Sequence, residues 1–203
     1  MTNNTQYEIP TWNQIHQMLL KQSTTIQKNH YQPDTIIGIA NGGTIPTRIL
    51  TDLLKTPQTT TITIKSYTYI AQKNTHPKLT QPLNIPINNQ NILLVDDISD
   101  TGQTLKIAKQ HLTKKGAKNI KTATLYTKTT TQTIPDYTEK TTNNWIIFPW
   151  EIKETLQNIQ KKHKTPQNTN NAYTQLLKNG LPKQLFKQIL KTLQEPQHDP
   201  IHI

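Results

Sequence analysis

The chain has 203 residues, 32% of them hydrophobic and 17% charged, and a formal charge of +11 from 23 basic and 12 acidic residues. That length favours one domain, or one domain with an appendage, and the lack of cysteine excludes a disulfide framework, a thiolate zinc site and cysteine catalysis. No run is long and apolar enough to span a bilayer, and MTNNTQYEIP lacks the basic start and apolar core of a signal peptide, so a cytoplasmic location without a membrane partner is expected.

Residues 11–29 read as a helix: Trp12, Ile15, Leu19 and Ile26 fall on one face, and Thr11 with Gln14 fits a capping box. Thr35-Ile36-Ile37-Gly38-Ile39-Ala40 is a short continuous apolar run, as in a strand buried on both faces. Asn41-Gly42-Gly43-Thr44 breaks it, and a helix begins near Pro46 with Ile45, Ile49, Leu50 and Leu53 inward. Residues 60–69 alternate in the β-branched manner of a strand. Residues 71–89 hold several Pro, Asn and Lys without a period, and loops of that length are often lids.

A second buried strand is expected over 92–95, then a helix over 103–115 with Leu105, Ala108 and Leu112 inward, closed by Gly116. Residues 122–126 read as a strand, 127–144 as a Thr-rich irregular stretch, and 145–148 as apolar again. After Trp150 the character changes. Residues 151–162, 171–178 and 182–194 read as short helices joined by polar turns, packed by Leu177, Leu181, Leu185, Ile189 and Leu193. Strands alternating with helices predict an α/β fold with a parallel, twisted sheet flanked by helices. Residues 151–203 form a helical C-terminal appendage to a 1–150 domain. The lysines are spread out, with short pairs only at Lys114-Lys115 and Lys161-Lys162. That predicts a diffuse basic surface, attractive to small phosphorylated substrates, rather than a dedicated nucleic-acid site.

In such sheets ligands bind outside the carboxyl ends of the strands. Two candidate loops lie there. Asp100-Thr101-Gly102-Gln103-Thr104 joins a buried strand to a helix, so backbone N–H groups, two hydroxyls and the helix dipole can converge on an anion. Asp96 and Asp97 stand just before it, and two adjacent carboxylates are costly to bury away from a partner. They can accept hydrogen bonds from a diol or hold Mg2+. A phosphorylated ribose would need both signs of charge together. The seven histidines show no metal-ligand spacing.

The run V-D-D-I-S-D-T-G-Q-T, residues 95–104, resembles the signature of type I phosphoribosyltransferases, which use 5-phosphoribosyl 1-pyrophosphate (PRPP). The resemblance extends in order over residues 5–155: residues 38–46 look like the family's pyrophosphate loop, Lys65-Ser66-Tyr67 like the start of its mobile lid, and residues 125–128 with 145–151 like the small hood over the base in the xanthine-guanine, hypoxanthine-like and archaeal purine branch.

The resemblance implies roles residue by residue. Asp96 and Asp97 would meet the ribose hydroxyls directly or through Mg2+, with Glu151 a further metal ligand. Asp100 would be catalytic, managing the proton at N7 of the purine. Thr101, Gly102, Gln103 and Thr104 would hold the 5-phosphate, and Asn41, Gly42, Gly43 and Lys65 the pyrophosphate. Lys128 would donate to an oxygen at C6, Trp145 would stack on the base, and the Ile146 backbone would face the C2 edge. Residues 65–78 would close over the reaction. Asn41 stands where many relatives carry Arg or Lys, with Lys65 or Lys73 as candidate substitutes. A homodimer is compatible with the resemblance. The expected reaction is transfer of ribose-5-phosphate from PRPP to a 6-oxopurine in purine salvage. Two alternatives remain: an adenine enzyme on the same plan, and a non-enzymatic PRPP-sensing regulator that binds nucleic acid through a helix-turn-helix at 176–193.

Overall fold

The computed structural model describes residues 6–67, 76–162 and 165–194. In chain order the elements are β1 (Tyr7–Glu8), α1 (Trp12–Lys28), β2 (Thr35–Ala40), α2 (Thr44–Leu53), β3 (Gln58–Tyr67), β4 (His76–Gln81), β5 (Asn91–Ser99), α3 (Gln103–Lys114), β6 (Asn119–Thr127), β7 (Tyr137–Thr141), β8 (Trp145–Ile146), α4 (Ile152–Lys162), α5 (Pro166–Lys178) and α6 (Lys183–Gln194). The chain divides into two compact units: Asn13–Asn143, and Met1–Trp12 with Asn144–Ile203.

The larger unit is built on a sheet of order β4-β3-β2-β5-β6-β7. Every pairing from β3 to β7 is parallel, and only β4 runs antiparallel, on the edge beside β3. β2 and the first half of β5 are apolar runs buried on both faces, as continuous hydrophobic strands of parallel sheets are. On one face Leu105, Ala108 and Leu112 of α3 pack with Ile37, Ile39, Ile62, Ile64, Ile92 and Leu94. Burial of the apolar faces of α1 (Ile15, Leu19, Ile26) and α2 (Pro46, Leu50) completes the layered α/β arrangement expected from the alternation.

Some expectations change. Residues 76–81 lie within the stretch read as irregular yet form β4, and residues 137–141 form β7. Both are edge strands. An edge strand needs few apolar residues, and HPKLTQ and YTEKT carry little hydrophobic signal. Trp12, read as an inward residue, is 55% exposed at the start of α1 and tilts against Trp150 at 5.6 Å. Most of the expected lid, including Lys73, lies outside the described residues. Lys65 and Lys78, at its ends, are directly paired across β3 and β4.

The smaller unit joins β1 to β8 in parallel, with Tyr7 opposite Trp145. Its core gathers Ile152, Leu156 and Ile159 of α4, Tyr173 and Leu176 of α5, and Leu181 of the following turn, with Phe186, Ile189, Leu190 and Leu193 of α6 packed against them. Leu176, not Leu177, is the fully buried leucine of α5, and Leu185 is 37% exposed. A one-residue shift along a helix turns a side chain by about 100°, which is enough to exchange Leu177 for Leu176. No described helix is long and apolar enough to cross a membrane.

Candidate active site

The order of the sheet reverses between β2 and β5: from β2 the chain moves outward to β3, and from β5 it moves the other way to β6. Such a switch point opens a crevice at the carboxyl ends of the strands. Gly38 pairs with Val95, so the end of β2 at Ala40 stands level with Asp97. A cavity of about 240 Å³ opens there, lined by Ile39, Ala40, Ile64 and the turn from Asp96 to Leu105.

Asp96 and Asp97 are only 8% and 6% exposed. The Asp97 backbone N–H donates to Asp96 Oδ1 at 3.0 Å, which fixes the first carboxylate at the head of the crevice. Asp100 is exposed on the same turn and also lines the cavity. Gly102 has φ +80° and stands at the N-cap of α3. A side chain at Gly102 would meet Thr133 N at 2.5 Å and Thr131 Oγ1 at 2.8 Å, so glycine is needed both for the left-handed conformation and for the close approach. Gly102 and Thr104 line this cavity. The side of the turn carrying Thr101 and Gln103 instead faces a neighbouring cavity of about 280 Å³, shared with Lys106, Gln132 and Thr133.

The loop after β2 is tighter. The Gly43 N–H donates to Ile39 O at 2.8 Å, so Gly43 shapes the turn into α2 and its amide is not a spare donor. A Cβ on Gly42 would overlap the Asp97 carboxylate, and one on Gly43 would overlap Val95 O. These two glycines bring the backbone of one loop directly against the carboxylate of the other. The peptide bond Ala40-Asn41 is cis. Asn41 itself is exposed.

Sequence reasoning missed a clamp behind the phosphate-type turn. Ser99 Oγ lies 2.8 Å from Thr131 Oγ1 and donates to Thr133 O at 3.1 Å. The Gln132 N–H donates to Thr101 O at 3.1 Å, and the Lys128 N–H to Ser99 O at 2.9 Å. The segment after Lys128 is thereby pinned to the turn. Its only sequence signal is a run of threonines, which suits loops and strands alike. Lys128 is half-buried in this unit. In the smaller unit, Trp145 is 60% exposed on β8 while Ile146 beside it is buried, and Glu151 is half-buried before α4.

Two buried carboxylates at a strand end offer oxygen ligands to a hard cation. Among the described residues no group of three or more acids or histidines could hold a metal. Their chemistry suits a cation such as Mg2+, which is usually held by one or two carboxylates with substrate phosphates and water completing its shell.

A phosphoribosyl transferase domain matches residues 11–155. The xanthine-guanine phosphoribosyltransferase of Nitratidesulfovibrio vulgaris is 30% identical over 144 residues, covering 70% of this chain and 82% of that protein. The protein of the same name from Gluconobacter oxydans is 28% identical over 147 residues, covering 71% and 84%. The crystal structure of a purine phosphoribosyltransferase from Pyrococcus horikoshii is 34% identical, with a TM-score of 0.65, over 71% of this chain and 93% of that one. With a fold and a domain match that both span the crevice, the chain belongs to the phosphoribosyltransferase family.

Proposed function

We propose that the chain is a purine phosphoribosyltransferase. It transfers ribose-5-phosphate from PRPP to a ring nitrogen of hypoxanthine, guanine or xanthine, releasing the nucleoside monophosphate and pyrophosphate in purine salvage. One observation carries this reading: Gly42 of the pyrophosphate-type loop abuts the buried Asp97 carboxylate, at the mouth of the cavity that Asp100, Gly102 and Thr104 also line. A diol and a pyrophosphate on adjacent carbons of one sugar need two such loops in contact.

In this reading Asp96 and Asp97 accept hydrogen bonds from the ribose hydroxyls. The turn from Thr101 to Thr104 holds the 5-phosphate with backbone N–H groups, hydroxyls and the positive end of α3. Asn41 and Gly42, with Lys65, hold pyrophosphate. The exposed Asp100 takes the proton leaving the purine. Asp96 and Asp97 would hold magnesium, which would supply positive charge against the departing pyrophosphate. Positive charge builds on the ribose ring in the transition state, and the enzyme contributes position and electrostatics rather than covalent chemistry. The family resemblance assigns the base to Lys128, donating to the C6 oxygen, to Trp145, stacking, and to the Ile146 backbone at the C2 edge. Residues 151–203 act as an appendage to this machinery, and assembly as a homodimer belongs to the same reading.

The test is to incubate the protein with PRPP, Mg2+ and each of hypoxanthine, guanine, xanthine and adenine separately and identify the nucleotide formed. Lys128 presents only donors, and adenine offers a donor at C6, so oxopurines should be favoured by roughly tenfold or more in kcat/KM, the cost of an unpaired buried donor. A preference for adenine would overturn the Lys128 role, and full activity after EDTA treatment would overturn the metal role.

A further inference from the structure

The domain match ends at residue 155, so most of α4 and all of α5 and α6 lie beyond it. Residues 151–194 contain eight lysines and two glutamates, and Glu195 and Asp199 follow, so residues 151–203 carry eight basic against four acidic side chains. The linear sequence spreads these lysines out, but the helix gathers three of them. Lys183, Lys187 and Lys191 recur every four residues on α6 and are all exposed, as are Gln184 and Gln188 beside them. At about 1.5 Å rise per residue the three form a row with a spacing of roughly 6 Å. No acid occurs on α6, and among the described residues none of the three lysines is recorded in an ion pair. Ordinary solvated helices mix signs at this spacing, because like charges four apart repel.

The opposite face of α6 is anchored. Phe186, Ile189, Leu190 and Leu193 pack on the core of α4 and α5. The connection Asn179-Gly180-Leu181-Pro182 is four residues long. Gly180 has φ +103°, and the Leu181 N–H donates back to Leu176 O at 3.1 Å. That bond closes α5 and drives Leu181 into the core, where it is 3% exposed. A short glycine turn followed by a buried apolar residue, with a third helix packed behind, has the connectivity of a helix-turn-helix.

We propose that α5 and α6 form a docking element for duplex DNA, with α6 as the inserted helix. Lys183, Lys187 and Lys191 meet phosphates, and Gln184 and Gln188 present a donor and an acceptor to base edges. The major groove of B-form DNA admits an α-helix, whereas the deep, narrow groove of duplex RNA does not, which selects DNA. This goes beyond the transferase reading and does not depend on it.

The experiment measures fluorescence anisotropy of a labelled DNA duplex with the full chain between 50 and 200 mM salt. Three phosphate contacts give a log–log salt slope near −2.7, or roughly 40-fold weaker binding over that range. The K183Q/K187Q/K191Q variant should bind at least tenfold more weakly and lose about that slope, with unchanged circular dichroism and unchanged nucleotide formation. K114Q/K115Q/K118Q removes equal charge from exposed positions of the larger unit and should bind like the parent. Absence of duplex binding by the parent, equal losses in both variants, or preference for RNA or anionic vesicles over duplex DNA would each overturn the proposal.

Discussion

At the carboxyl end of β5 two carboxylates are less than a tenth exposed, whereas on α6 three lysines stand in solvent above an apolar core. The larger unit draws charge inward and holds it with backbone: Asp97 sits against Gly42, and Asp96 is tied by a main-chain N–H. The smaller unit keeps charge outside and gives its interior to leucine, isoleucine and aromatic side chains. Buried carboxylates are stable only when a ligand or hydrogen bonds compensate their desolvation, so they suit a ligand that fits one geometry. An exposed row of lysines keeps its water until a partner arrives, so it suits loose, salt-sensitive contact.

The sharpest way to break this comparison is at the glycine loop. In Gly43→Ala the new Cβ would overlap Val95 O and lie 2.8 Å from Ile39 O, and both are backbone atoms that cannot swing away. The variant should lose stability by about 1–3 kcal/mol from overpacking and lose activity by roughly a hundredfold or more from a displaced loop. In Gly42→Ala the three nearest clashes are all with the Asp97 side chain. That variant should melt near the parent yet lose activity by a similar factor. Thermal melts with kcat/KM decide it. Parent-like activity in Gly42→Ala would mean that the two loops do not act on one ligand.

The legibility of each region follows from how its residues are used. β2, β5 and α3 were readable because burial on two faces, or on one helical stripe, demands apolar residues at set positions. Asp96, Asp97 and Gly102 were readable because costly or strained residues at a strand end have few other uses. The clamp of Ser99 to Thr131 and Thr133 was not, since hydroxyl pairs depend on a fold that brings position 99 to position 131. β4 and β7 escaped because edge strands are stabilised by main-chain pairing on one side, which leaves little mark on side chains. Trp12 departs from its expected inward place because periodicity reports a face, and the first turn of a helix can lie beyond the surface that covers it. The lysine row was visible only after the helix placed residues four apart on one line.

The smaller unit can be tested through its own core. Leu176 is 1% exposed among Leu156, Ile159, Tyr173 and Leu181. Leu176→Ala should cost about 2–5 kcal/mol through lost burial and the cavity left behind. Hydrogen exchange should then show lower protection in α4, α5 and α6 while amides of β2 and β5 keep theirs. Equal loss of protection in β2 and β5 would mean that the two units open as one, and the contrast between them would be one of composition only.

The smallest effect concerns a polar anchor in the larger unit, away from the crevice. Asp136 receives the Thr122 N–H at 2.9 Å and the Thr122 hydroxyl at 2.8 Å on one oxygen, and Lys121 Nζ at 2.8 Å on the other. Burial alone would raise its pKa, but the hydrogen bonds from Lys121 and Thr122 outweigh burial and hold the carboxyl below its ordinary value. A lowered folded-state pKa stabilises the fold above the unfolded value of about 3.9, and that contribution fades as pH falls through the folded value. Asp136→Asn keeps the shape but weakens the acceptor. It should cost about 1–2 kcal/mol at neutral pH, the scale of a hydrogen bond to a charged group. Urea midpoints of parent and variant should converge as pH falls through the lowered folded-state value, where the Asp136 carboxyl becomes neutral like the amide. A gap that persists unchanged in acid would show that packing, not the Asp136 charge, holds this part of the β6–β7 edge.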